Sequence, residues 1–402
     1  MKKWLLLLVF LPLIPSLGFP GWVTQTSGTD RNLRDVWYLY DPFYRGWAVG
    51  DSGTILTTTN FGTSWAPQSS PTSLTLYGIA HDPVRGFFRE WATAVGGDSS
   101  GVILHTTNGG NVWSVRATPP SAMYAVSYGD SLHGWAAGGA GSIWRTTDGG
   151  FTWTFQAAPL RVTWYGIWFE DAQRGWVCGT NGAIMATTDG GATWGSQASG
   201  TSDTLRGASF YVRGVVVGDS GKILRTANGG STWSPVPSGV SEDLYSVYMR
   251  GYDAYAVGAN GRILKGSGDG STWAPDTSIT SKHLRGIHYI LSADWAIHVW
   301  AVGDSGEILY KFILSVGAEE ESSNGWGKLS AGGEPRTAHP NPFTSFTTLP
   351  GHEADLFALY DISGRRVGVY KGDRIGEGLR AGVYFVRAES GDGKPVRIVK
   401  VR

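Results

Sequence analysis

The sequence predicts an all-β protein: a seven-bladed β-propeller closed by its own N-terminal strand, followed by a small β-sandwich. Three observations carry this expectation. First, one stretch recurs with small edits: T-T-T-N-F-G-T-S-W ends at Trp65, T-T-N-G-G-N-V-W at Trp113, R-T-T-D-G-G-F-T-W at Trp153, A-T-T-D-G-G-A-T-W at Trp194, R-T-A-N-G-G-S-T-W at Trp233 and G-S-G-D-G-S-T-W at Trp273. The closing tryptophans lie 48, 40, 41, 39 and 40 residues apart, a period that calls for a stacked or circular array. Second, each period holds four short apolar runs joined by Gly-rich turns. In the third they read M-Y-A-V-S-Y (123–128), G-W-A-A-G (134–138), S-I-W-R-T-T (142–147) and T-W-T-F-Q (152–156). That is the pattern of one propeller blade, with strands lettered A to D from the axis outward.

Third, a piece of the last unit is displaced. The seventh repeat starts at Leu284-Arg285-Gly286-Ile287 and runs through Trp300-Ala301-Val302-Gly303 to Glu307-Ile308-Leu309-Tyr310, then lacks its turn and final tryptophan. W-V-T-Q-T-S-G-T from Trp22 matches W-G-S-Q-A-S-G-T from Trp194 and precedes any blade. The N-terminal segment is therefore expected to supply strand D of blade seven, removing the free edges of a linear array. Ile55, Ile103, Ile143, Ile184, Ile223, Ile263 and Ile308 take one equivalent place in strand C and read as core. Trp47, Trp91, Trp135, Trp176 and Trp300 recur in strand B, with Val215 and Tyr255 in the other two blades, and read as packing between blades.

The expected organisation is a signal peptide over 1–18, the propeller over 19–312, a polar linker over 313–337 and the sandwich over 338–402. The first segment, M-K-K-W-L-L-L-L-V-F-L-P-L-I-P-S-L-G, has two lysines, a short apolar core and small residues suited to cleavage, so the protein is expected to be secreted or on the cell surface. From Ala338 the chain alternates in short strands, L-F-A-L-Y-D-I-S-G-R-R-V, L-R-A-G-V-Y-F-V-R and P-V-R-I-V-K-V-R. Thirty-three basic and 33 acidic residues balance, so a nucleic-acid partner is not expected. Cys178 is the only cysteine, which excludes an intrachain disulfide and a cysteine zinc cage. His81, His105, His133, His283, His288 and His298 show no metal-ligand spacing; no metal or cofactor is expected, and the chain is expected to be a monomer.

The repeated acidic turn reads as construction. Asp148 and Asp189 can accept N–H bonds across the C-to-D hairpin, and Asn60, Asn108 and Asn228 stand at the same place. Asn keeps the turn-forming oxygen but cannot act as a carboxylate base. In the sixth copy Gly268 is aligned there and Asp269 is shifted by one. A site is expected on the opposite face, formed by the D-to-A and B-to-C connections. At the start of strand A one equivalent position reads Arg34, Tyr77, Tyr124, Tyr165, Arg206, Tyr245, Arg285, and Tyr and Arg are the usual hot-spot residues for gripping a ligand. The arginine blades also carry Asp51, Asp219 and Asp304 in a G-D-S-G turn, whereas blade two carries Asp98 with Tyr77. Each arginine can pair with its own blade's aspartate, and such exposed pairs contribute roughly 0–1 kcal/mol. Pairing and ligand contact can coexist.

The repeat with its D-G-G-x-T-W core resembles the Asp-box, or bacterial neuraminidase repeat. The longer frame W-A-V-G-D-S-G-x-I-L-x-T-T-D-G-G-x-T-W resembles the photosystem II stability and assembly factor propellers and their non-photosynthetic bacterial relatives, over roughly Gly21 to Phe312. That resemblance implies a seven-bladed, non-enzymatic scaffold for a protein or glycan. Pro340 to Arg402 resembles the C-terminal sorting domains of type IX secretion cargo, which implies an immunoglobulin-like sandwich read by outer-membrane secretion machinery through residues 338–402. Two other functions stand beside the scaffold. One is a secreted glycoside hydrolase, sialidase-like or xyloglucanase-like, which needs two carboxylates about 5–10 Å apart; Asp304, Asp51 and Asp98 fall on consecutive blades, but the F-R-I-P signature is absent. The other is a structural surface-layer component.

Overall fold

The computed structural model describes residues 21–39, 45–81, 90–211, 213–250, 253–291, 296–314, 356–361, 366–371, 382–388 and 396–400. The expected signal peptide and all but the first two residues of the expected linker lie outside the described residues. The chain divides into two compact units after Leu314.

In the first unit, seven four-stranded antiparallel sheets follow one another, six of them simple A-B-C-D meanders and the seventh taking its outer strand from the N-terminal segment. The A strands are Leu33–Tyr38, Leu76–His81, Met123–Tyr128, Trp164–Phe169, Leu205–Tyr211, Leu244–Arg250 and Leu284–Leu291. Closure follows the sequence pattern: Val23–Thr24 pairs antiparallel with Ile308–Leu314, Val23 opposite Tyr310 and Thr24 opposite Leu309. The Gln25 N–H extends the ladder to the Ile308 carbonyl at 2.8 Å. Strand C of blade seven runs to Leu314, so the propeller continues two residues past the expected boundary at 312.

Runs such as G-W-A-V-G (Gly46–Gly50) are buried at every position because both faces of a B strand meet neighbouring blades. Their tryptophans are the wedges. Trp135 lies flat on Phe169 of the next blade with ring centroids 3.5 Å apart, Trp176 lies on Phe210 at 3.9 Å, and Trp300 lies on Tyr38 at 4.0 Å. The last of these joins blade seven to blade one, so the ring is closed by the same stacking that repeats within it. Six B-to-C turns are single 3-10 turns whose middle residue, Ser52, Ala140, Asn181, Ser220, Asn260 or Ser305, has φ of 55–59°. The following residue must be glycine: a Cβ on Gly53 would collide with the Thr72 carbonyl, and one on Gly306 with that of Thr29.

The second unit forms one four-stranded antiparallel sheet among the described residues, in the order Arg366–Lys371, Leu356–Asp361, Gly382–Ala388, Val396–Lys400. Phe357, Ala358 and Leu359 are buried. The second sheet of the expected sandwich is not among the described residues.

Candidate functional site

The rim residues share a backbone device. In every blade the register between strands A and B slips at the second residue of strand A, between Leu33 and Asp35, Leu76 and Gly78, Met123 and Ala125, Trp164 and Gly166, Leu205 and Gly207, Leu244 and Ser246, and Leu284 and Gly286. The unpaired residues are Arg34, Tyr77, Tyr124, Tyr165, Arg206, Tyr245 and Arg285. A bulge of this kind re-aims a side chain at a barrel rim or a site. All seven line one axial funnel of ≈ 300 Å³.

Each rim arginine also holds its own blade's aspartate. Arg34 binds Asp51 through Nε at 2.7 Å and Nη2 at 3.0 Å; Arg285 binds Asp304 at 2.9 and 3.0 Å; Arg206 binds Asp219. Burial alone would raise the Asp304 carboxyl, but the hydrogen bonds and charge of Arg285 bring it below the ordinary range. Blade two breaks the pattern, since Asp98 is exposed and has Tyr77 in place of an arginine. The guanidinium planes and rings then stack around the mouth. Arg34 lies 5.8 Å from the Tyr77 ring centre, Tyr77 and Tyr124 are 5.0 Å apart, as are Tyr124 and Tyr165. Arg206 sits over both Tyr165 at 5.3 Å and Tyr245 at 5.6 Å, and Arg285 over Tyr245 at 5.0 Å. Burial raises the hydroxyls of Tyr124 and Tyr245 above the usual tyrosine range, so they stay protonated hydrogen-bond donors. Self-pairing thus orders the ring and leaves its aromatic faces half-buried along the funnel.

Two deeper layers were not among the residues singled out from the sequence. Directly below the rim come Asp35, Gly78, Ala125, Gly166, Gly207, Ser246 and Gly286. Here the A strands approach closely: a Cβ on Gly286 would meet Asp35 Cα at 2.7 Å. Asp35 accepts the N–H of Val36 at 2.9 Å and of Ile79, in the next blade, at 3.0 Å. Its enclosure nevertheless dominates and pushes its carboxyl up to about 7. Two places further along strand A, Trp37, Trp168, Tyr248 and His288 form the funnel floor. Trp37 and Trp168 each meet Tyr248 edge-on, at 6.0 and 5.9 Å, and His288 packs 4.2 Å from both Trp37 and Tyr248. Ala80, Ser127 and Ser209 at the equivalent places leave room for these large rings. Burial keeps His288 well below its ordinary range. Its Nδ1 accepts the Tyr38 N–H at 3.3 Å, which leaves the proton on Nε2. The available signal was the layer itself: aligned by blade, the third strand-A position carries one charged residue among six small ones.

The acidic turns lie at the other end of the blades. Asp148 accepts from Thr146 Oγ1 at 2.8 Å, Thr152 N–H at 2.9 Å and Thr152 Oγ1 at 2.6 Å, and Asp189 repeats this with Thr187 and Thr193. Asn60 and Asn228 accept the same two bonds, then donate through Nδ2 to Ser64 at 2.9 Å and Thr232 at 3.0 Å where Asp accepts. Asn108 accepts from Thr106 Oγ1 and Val112 N–H, both at 3.0 Å. At Ser64 and Thr232 the partner hydroxyl simply reverses its role. Hydrogen bonds from Thr193 draw Asp189 down to about 2, a stable anion and a poor base. Four more of the histidines make local contacts: His105 meets Thr93 at 3.0 Å, His133 meets Asp130 at 2.8 Å, His283 accepts the Asn260 N–H at 3.1 Å and His298 meets Tyr310 at 2.8 Å. Among the described residues no three His, Cys, Asp or Glu side chains converge as a metal site.

Fold and repeat together define a seven-bladed propeller of Asp-box repeats with an Arg/Tyr-lined funnel on the face away from the boxes. Residues 152–239 match the family model of the photosynthesis system II assembly factor YCF48. No curated protein matches the chain. Among solved structures, YCF48 bound to D1 peptide is 20% identical with a TM-score of 0.59, covering 75% of this chain and 99% of that one. YCF48 from Cyanidioschyzon merolae is 18% identical with a TM-score of 0.57, covering 72% and 98%. The GH74 enzyme of Niastella koreensis is 16% identical with a TM-score of 0.57, covering 71% of this chain and 53% of that one. At these identities the structural likeness concerns the fold.

Proposed function

We propose that the protein is a non-enzymatic scaffold, secreted or held at the cell surface, that grips a polypeptide segment of a partner over the funnel mouth. The observation that carries this reading is the convergence of seven bulged positions, four tyrosines and three arginines, on one funnel with an aromatic floor. Rigid, pre-paired side chains lose little entropy on binding, and Tyr and Arg are enriched where partners are gripped. The peptide in the YCF48 structure adds support for a protein ligand. Residues 338–402 are proposed to act as the export address, read by outer-membrane secretion machinery.

The glycosidase alternative draws on the fold of the GH74 enzyme. Against it, two of the three carboxylates of the acidic arc, Asp51 and Asp304, each close onto an arginine, and Asp98 alone of the arc does not, whereas the reaction needs two available carboxylates. Screening the full chain on peptide arrays, glycan arrays and chromogenic glycosides separates the readings. Peptide binding without turnover is expected. Turnover abolished by Asp51→Asn would sink the scaffold.

A further inference from the structure

The charges of the rim cancel in pairs, yet the funnel behind it holds one acid that no cation among the described residues balances. Arg34, Arg206 and Arg285 are closed onto Asp51, Asp219 and Asp304. Asp35 has only the two N–H groups of Val36 and Ile79, and among the described residues no cation pairs with it. A carboxylate has roughly four acceptor positions, so part of its capacity stays open. The ring does not need it: six other blades build the same layer with Gly, Ala or Ser. An enclosed carboxyl without a counter-ion is costly to ionise, and an acid kept in a ligand-sized funnel calls for a partner.

The walls have the same preference. The faces of Tyr77, Tyr124, Tyr165 and Tyr245 surround the entrance, and Trp37 and Trp168 lie at the floor. Aromatic faces attract ammonium and guanidinium groups, most strongly where water is excluded. An anion entering the funnel would meet these electron-rich faces and then Asp35, with the nearby guanidinium groups already engaged.

We propose that the funnel is a socket for one cationic side chain of the partner polypeptide, with Asp35 as its counter-ion, the tyrosine ring as its collar and Trp37 and Trp168 as its floor. This rests on the funnel being the binding face, and adds the charge of what enters it. Enclosure alone drives the Asp35 carboxyl up to about 7; a cation beside it would restore the ionised form.

The test uses the full chain and four acetylated, amidated pentapeptides, Gly-Ser-X-Ser-Gly with X as lysine, arginine, norleucine or glutamate, titrated by ligand-observed NMR. The lysine or arginine peptide should bind at least tenfold more tightly than norleucine, and glutamate more weakly than any; which cation leads tells ammonium from guanidinium. Asp35→Asn should reduce that preference to the norleucine level. Asp35→Ser guards against misfolding, because Ser246 stands at the equivalent place in blade six and its Oγ accepts the Ile287 N–H at 3.3 Å, as Asp35 does for Ile79. Norleucine binding as tightly as lysine would overturn the cationic socket while leaving the funnel as a binding face. Tighter binding of glutamate, or a lysine preference that survives Asp35→Ser in a normally melting protein, would overturn it as well. Failure of all four peptides to bind would also overturn it, whatever the arrays show for longer ligands.

Discussion

At the scale of single residues, chemistry separates builders from candidates for function. In the acidic turns the side chain that matters most is the threonine two places before the Asp. Thr146 is buried, donates to Asp148 and accepts the Gly150 N–H at 2.9 Å. Thr146→Val leaves that N–H unpaired in the interior and should cost about 1–3 kcal/mol in denaturant unfolding. Asp148→Asn should stay within about 0.5 kcal/mol of wild type, since Asn60, Asn108 and Asn228 already serve in that place. Asp35 should behave oppositely to a paired acid. Its folded-state pKa lies above that of the unfolded chain, so the folded form binds the proton more tightly. The stability this contributes is complete below the usual carboxylate range and is lost as pH rises through about 7. Arg34, Arg285, Tyr77 and His288 line the same funnel as Asp35, and Arg34 and Arg285 are already held by carboxylates. The melting temperature of Asp35→Ser relative to wild type should therefore climb between pH 4 and pH 8; a flat difference would mean the carboxyl is not perturbed.

At the scale of elements, a two-residue strand closes the ring. Val23–Thr24 completes blade seven, and beside it Trp22 is buried, donating Nε1–H to Asp276 at 3.1 Å. Lys311 binds the same carboxylate at 2.6 Å, which ties the N-terminal segment, blade six and blade seven together. Trp22→Ala should destabilise the propeller by about 3–5 kcal/mol, measured by reversible unfolding; an unchanged transition would mean the ring holds without its shared blade. The strand was legible in the sequence because W-V-T-Q-T-S-G-T repeats the start of strand D elsewhere. The bulge that aims the rim residues was not. It leaves no single residue-type signature, since four blades carry Tyr there and three carry Arg, and only the register of strand A against strand B displays it.

At the scale of the whole molecule, blade count, closure and the face carrying the rim were readable because they follow from a period and from packing residues that recur. The funnel interior was not, because its content depends on which side chains of seven separate strands meet at the axis. Asp35, Trp37, Trp168, Tyr248 and His288 are unremarkable in their own strands and become a chamber only when the ring closes. Export is proposed to depend on the other unit, and deleting 338–402 should leave the propeller in the periplasm on cell fractionation; undiminished secretion would remove the sorting role. The binding claim is tested most directly by the affinity of the best array peptide for the full chain and two variants. Tyr124→Ala/Tyr165→Ala opens the ring, and Phe151→Ala alters an exposed residue on the Asp-box face. The account predicts a loss of at least tenfold for the first and none for the second, and the reverse pattern would contradict it.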